Sequence, residues 1–237
     1  MLLFMLLQAM LIQAQPLRVG LHLSAPWSFY NGEGEPEGTE YRLVSRIFAN
    51  AGYEVQYELY SYSRLLKQFS DKKLDCASPV AIAVDGASYT QAYLPFQDVA
   101  ISLQDAGLKV ETLQDLADKR IAAYQQAKQI LGSDFAQAVS TAGYLELAER
   151  KLQLELLFSE RVQLVIGERR VLLHLATELA PHIKLTVHPL FAAQSYPAAC
   201  WQPEHAEAFN RGLAQLAQSG ELAAMLRDKT QAGDGTK

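Results

Sequence analysis

Acid–base and nucleophilic chemistry both need groups held within hydrogen-bond reach of each other. Asp75 and Glu168 can act as a pair of acids, or Asp75 can simply cap a turn. Ser78 has no histidine near it in sequence to take its proton. The histidines His22, His174, His182, His188 and His205 are scattered, without the short spacings of a metal site. Cys76 and Cys200 are the only cysteines, either two buried thiols or one disulfide made in an oxidising compartment. Nothing here assembles a catalytic set. The sequence predicts a non-enzyme with no catalytic residue, no metal and no cofactor.

Charge removes another class. The chain has 237 residues and a formal net charge of −5, with no run of Lys or Arg. Nucleic-acid binding needs a basic stripe to neutralise phosphates, so no nucleic-acid partner is expected. Hydrophobic residues at 49% and charged residues at 20% allow a well-packed core.

The elements that must position any site follow from periodicity. Leu17 to Leu23 reads as a strand, and Ser24 to Gly34 as a turn-rich loop carrying Trp27, Phe29 and Tyr30. Glu40 to Ala51 places Tyr41, Val44, Ile47, Phe48 and Ala51 on one helical face. Tyr53 to Tyr60 alternates as a strand, Arg64 to Phe69 is a short helix, and Leu74 to Val80 is a third strand. This β-α-β-α-β order predicts an open α/β sheet. A second unit starts at Thr112 and Asp115, spaced as a capping box. Its predicted elements are a strand over 120–124, a helix over 128–139, further helical material, a buried strand over 162–166 and a helix over 169–179. Extended segments at 98–103 and 195–201 separate the two units, and helices over 203–217 and 221–228 close the chain.

The first residues differ in character. Leu2 to Leu7 and then Ala9 to Ile12 form an apolar run without a charge, too short to span a bilayer comfortably. Ile12-Gln13-Ala14 resembles a signal-peptidase site, which makes residues 1–15 an export signal lacking a basic start. The other reading is a buried first element of the fold. Residues 231–237 read as a disordered tail.

Several local phrases, in this order, resemble the family-3 periplasmic solute-binding proteins, the amino-acid-binding components of ABC importers. They are Leu17-Arg18-Val19-Gly20, Pro26-Trp27-Ser28-Phe29, Gly38 before the first helix, and Lys73-Leu74-Asp75. Next come Ala92-Tyr93, Leu113 to Ile121, Glu160-Arg161-Val162-Gln163 and Phe209 to Leu216. The resemblance implies an α/β fold of two Rossmann-like lobes joined by two hinge strands, the type II periplasmic binding protein architecture. Lobe 1 would comprise 16–101 plus 196–230, and lobe 2 would comprise 102–195. The chain would work in the periplasm as a monomer, closing on a small-molecule ligand and presenting it to an ABC permease or, alternatively, to a membrane receptor. A dehydratase-like enzyme on the same fold is the remaining alternative.

The resemblance also names candidate ligand residues. The family's carboxylate-binding Arg follows the Asp of the third strand, yet Cys76 to Ser88 contains no Arg. Ser78 is the polar candidate in that stretch. The family's ammonium partner maps to Glu168, which can receive a cation or can serve only as a helix N-terminal acid. A turn whose amides bind an anion maps to Gln126, Ala127 and Lys128, or else these residues form an ordinary solvated helix start. Trp27 and Tyr30 are the aromatic wall candidates, with Tyr93 and Phe96 near the first hinge. The strands carrying Cys76 and Cys200 would be neighbours, which would let the two cysteines bond.

Overall fold

The strand Leu17–His22 buries Leu17, Val19, Gly20 and Leu21, more than a half-exposed alternation would. The cause is its place inside a sheet, where both faces are covered. It pairs in parallel with Val55–Tyr60 on one side and Cys76–Ser78 on the other. Ala199–Cys200 and Ser88–Tyr89 extend this first sheet in antiparallel register. The computed structural model describes residues 15–139 and 143–227. The expected export signal (apart from residue 15) and the expected tail at 231–237 lie outside the described residues.

A second five-stranded sheet has the order Tyr144–Leu147, Ile121–Tyr124, Leu164–Glu168, Asp98–Leu103, Leu185–His188. The first three are parallel, and Asp98–Leu103 runs antiparallel to both of its neighbours. Leu94–Phe96 and Gln194–Tyr196 pair antiparallel where the chain passes between the sheets. Asp98–Leu103 therefore belongs wholly to the second sheet, and the outward crossing falls at Gln97, ahead of the 101/102 boundary drawn from the sequence. The molecule is α/β with two lobes, one around each sheet.

Two local readings change. The helix expected over 128–139 is two pieces, Ala127–Ile130 and Ser133–Ala138, separated where Gly132 takes φ 91°. Positive φ cannot continue a right-handed helix. Part of the helical material expected after 139 is the strand Tyr144–Leu147, which continues the sheet before the helix Arg150–Phe158 begins. Among the described residues, no helix is long and apolar enough to cross a membrane.

Core packing ties the ends of the chain together. The helix Thr39–Asn50 buries Leu43, Val44, Ile47 and Phe48, and the helix Pro203–Ser219 packs across it with Phe209, Leu213 and Leu216. They approach at Gly212, where a Cβ would stand 2.3 Å from the carbonyl oxygen of Ile47. A backbone atom cannot be moved aside like a side-chain tip. Gly212→Ala should therefore cost at least about 2 kcal/mol of unfolding free energy by overpacking. Urea titration of both proteins checks this, and equal midpoints would show that the helices can slide apart freely.

Cys76 and Cys200 are register partners in the first sheet, with Cα atoms 4.1 Å apart, and they are joined as a disulfide. The bond fastens the outgoing chain of the first lobe to the chain returning from the second.

Candidate functional site

In a parallel α/β sheet the residues just beyond the carboxyl ends of the strands face one open edge, where ligands collect. Both sheets turn that edge toward a common cleft. The first lobe contributes His22 and Ser24 after its first strand, Tyr62 after Val55–Tyr60, and Pro79 and Ala81 after Cys76–Ser78. The second contributes Tyr124 and Gln125, Ala148 and Arg150, and Glu168 at the ends of its parallel strands. Asp98 joins them from the antiparallel strand of the second sheet, and Phe96 and Tyr196 enter from the crossing segments. Together they enclose a cavity of about 50 Å³. That volume holds a few water molecules or a compact organic group.

Charge is distributed unevenly. Asp98 and Glu168 are buried opposite each other in antiparallel register. Glu168 Oε2 accepts from Trp27 Nε1 at 3.0 Å and from the Val171 amide at 2.9 Å. Asp98 accepts one bond, from the Tyr124 hydroxyl at 3.2 Å. Burial and the Glu168 charge push the Asp98 carboxyl up to about 7. Burial also raises Glu168, against the pull of its donors. Arg150 lies over the Tyr124 ring at 5.1 Å, and its guanidinium makes no hydrogen bond or ion pair among the described residues. Burial lowers it to about 10, opposed by Tyr124, Asp98 and Glu168. It stays a cation. His22 is pushed down to about 3 by burial and by Arg150, so it is neutral.

The residues named from the sequence end up in different places. Glu168 lines the cavity and also caps the helix Arg169–Leu179. Trp27 is buried behind the cavity wall, packed on Phe96 at 5.1 Å and under Arg170 at 4.7 Å, and it meets the cleft only through its bond to Glu168. Phe96 does line the cavity. Tyr30 does not: it is exposed, and its hydroxyl accepts from the Leu59 amide on the first lobe. The hairpin of Phe29–Tyr30 with Pro36–Glu37 carries it there.

Ser78 and Tyr93 lie beneath the cleft, not within it. Both are buried around Glu40, which is fully buried itself. Glu40 accepts from Ser78 at 2.8 Å and from Ser28 at 3.0 Å, while Ser78 and Tyr93 share a bond of 2.5 Å. Burial raises Glu40 to about 7 despite these hydroxyls. A carboxyl raised on folding adds stability below its ordinary value of 4.5 that is lost as pH rises through 7. The size is roughly 3 kcal/mol. Urea unfolding at pH 5 and pH 8 should show wild type weakening by about that amount more than Glu40→Gln, which cannot ionise. Parallel pH profiles would mean that Glu40 is already charged.

The turn at Gln126, Ala127 and Lys128 is occupied by the chain itself. The amides of Gln126 and Lys128 donate to Glu146 at 2.7 and 3.2 Å, and the Tyr144 hydroxyl donates to it at 2.7 Å. Ala127 is buried, and the exposed Lys128 stacks its ammonium over Tyr144 at 4.6 Å. Only the preceding Gln125 faces the cavity, where it also accepts from Ser63 of the first lobe at 3.2 Å. The anion expected at this turn is supplied internally by Glu146.

Asp75 sits at the opposite end of its strand from the cleft and is paired with Arg18 at 2.9 Å. It does not meet Glu168. Among the described residues no group of three or more His, Cys, Asp or Glu is placed to hold a metal.

The comparisons with known proteins agree with this architecture. The chain superposes on a histidine kinase sensor domain described as similar to periplasmic binding proteins, with TM-score 0.77, 18% identity and coverage of 89% of this chain and 94% of that one. It superposes on AbpA of Streptococcus pneumoniae, an amino acid ABC transporter substrate-binding protein bound to L-arginine, with TM-score 0.73, 21% identity and coverage of 93% and 97%. A third match is the ancestral amino-acid-binding protein AncCDT-1, a precursor of cyclohexadienyl dehydratase, with TM-score 0.73, 16% identity and coverage of 89% and 92%. None of the curated proteins compared with the chain matches it. The model of the bacterial extracellular solute-binding proteins, family 3, matches residues 17–229, nearly the whole described fold, and this chain belongs to that family.

Proposed function

We propose that this chain captures a compact, charged organic solute in the cleft and delivers it unaltered to an ABC-type importer. The observation that carries this reading is the cavity itself, walled by both lobes and containing a guanidinium that stacks on Tyr124 but has no hydrogen bond or ion pair among the described residues. A half-buried charge that lacks a hydrogen-bonding partner is costly, so such a site suits a guest that brings one. Arg150 takes the anionic group of the solute, and Glu168 with Asp98 takes its cationic group. Tyr62, Phe96, Tyr124 and Tyr196 supply the flat apolar walls. The absent Arg between Cys76 and Ser88 is thus replaced from the other lobe. The apolar N-terminal run and the disulfide support a periplasmic, exported protein.

A thermal-shift screen against amino acids, amines, organic acids and short peptides tests this. A true solute at one hundred times its dissociation constant should add about 2.7 kcal/mol of stability. Mass spectrometry should recover it unchanged; a converted product would move the protein into the enzymes of this fold. The likeness to a kinase sensor domain favours a second reading, in which the same cleft reports to a membrane receptor. A permease gene beside this one supports import, and a receptor gene supports sensing.

A further inference from the structure

Asp98 and Glu168 are direct partners across antiparallel strands, so their side chains leave the sheet on the same face. Both are buried, both line the cavity, and neither forms an ion pair among the described residues. Their donors are unequal. Glu168 receives Trp27 Nε1 and the Val171 amide, which favour its anion, whereas among the described residues Asp98 receives only the Tyr124 hydroxyl. Two carboxylates so placed cannot both be charged cheaply without a cation between them.

We propose that Asp98 and Glu168 hold one proton between them in the empty cleft and exchange it for the positively charged group of the solute. The exchange balances: the empty pair carries one negative charge and one proton, and the proton leaves to water as an ammonium-type cation enters. No bond other than that O–H bond is broken. Capture is thereby coupled to proton release, and it weakens in acid. The proposal rests on the solute-binding reading above and adds Asp98 as a second cation-selecting residue beside Glu168. The rise of the Asp98 carboxyl toward neutrality is in keeping with it.

The groups facing this pair bear on the sign. From the second lobe these are Tyr124, Arg150 and Arg170; from the crossing segment, Tyr196; and from the first lobe, Trp27, Tyr62 and His22. Arg150 stays cationic and the tyrosines and His22 stay neutral between pH 5 and pH 8. Within that range only the carboxyl pair titrates in the cleft.

The test needs no knowledge of the natural solute. Carboxyl ¹³C shifts of the empty full-length protein, labelled at Asp and Glu, are followed against pH and assigned with Asp98→Asn and Glu168→Gln. One carboxyl of the pair should titrate near neutral pH, and Glu168→Gln should lower the Asp98 midpoint by about one pH unit or more. Saturating methylammonium should lower the wild-type midpoint and leave that of Glu168→Gln nearly unmoved. A midpoint unaffected by the neighbouring substitution overturns the shared proton. Coupling without a methylammonium effect overturns the exchange, while the solute screen stands untouched. A screen with no hit, together with normal coupling and exchange, would instead sink the solute-binding reading.

Discussion

Removing the disulfide should cost the protein about 5 kcal/mol of unfolding free energy, the loop-closure value for a link spanning 124 residues of sequence. The size follows from what the loop contains. Between Cys76 and Cys200 lies the whole second sheet, so an unfolded chain without the bond regains the freedom of more than half its length. For a domain of this size the loss corresponds to a melting point lower by on the order of 10–15 °C. Paired Cys76→Ala and Cys200→Ala substitutions, compared with reduced wild type, separate the entropic effect from local repacking. A loss under about 1 kcal/mol would show that the unbonded chain keeps these strands together by other contacts.

Arg150 should show the opposite balance between binding and stability. Arg150→Ala is expected to weaken the best solute from the screen by roughly thirty-fold to several thousand-fold, the cost of removing one partner from a buried charge contact. The empty protein should melt at the same temperature or higher, because a half-buried cation without a hydrogen bond or ion pair among the described residues has been taken away. Calorimetric titration and thermal melts on one preparation give both numbers. Wild-type affinity with a lowered melting point would assign Arg150 to the framework and leave the anionic end of the solute without a partner.

Much of the scaffold was readable from residue order because it depends on local pattern. The helices at 39–50 and 169–179 lie within a residue of their expected bounds, and the extended segment at 98–103 is a strand with those limits. The site was harder, for a physical reason. Its residues are defined by which strand ends share an edge, and sheet order is not written in any local stretch. Arg150 follows the strand Tyr144–Leu147, which was read as helical, so the position of Arg150 at a strand end went unseen. Asp98 looked like the first residue of a hinge, and only its pairing with Glu168 shows where it points. Ser78 and Tyr93 carry polar groups suited to a ligand, but the Ser78 hydroxyl is committed to Glu40 and the Tyr93 hydroxyl to Ser78. That commitment links residues 38 and 15 positions apart, and no spacing rule announces it.

The turn at Gln126–Lys128 teaches a similar lesson. Backbone amides are present whatever the side chains, so an anion there is a fair expectation. Which anion arrives is decided by the next strand, where Glu146 points back at the turn.

The acidic and basic side chains of the cavity wall, Asp98, Glu168 and Arg150, stand on strands or helices of the second lobe, while among the described residues the first lobe lends it only neutral groups. Encounter and enclosure are therefore governed by different forces. On the proposed reading these charges orient the guest as it arrives, and with the pair sharing one proton they nearly cancel, so added salt should change the capture rate little. The first lobe would then complete the enclosure by short-range contact.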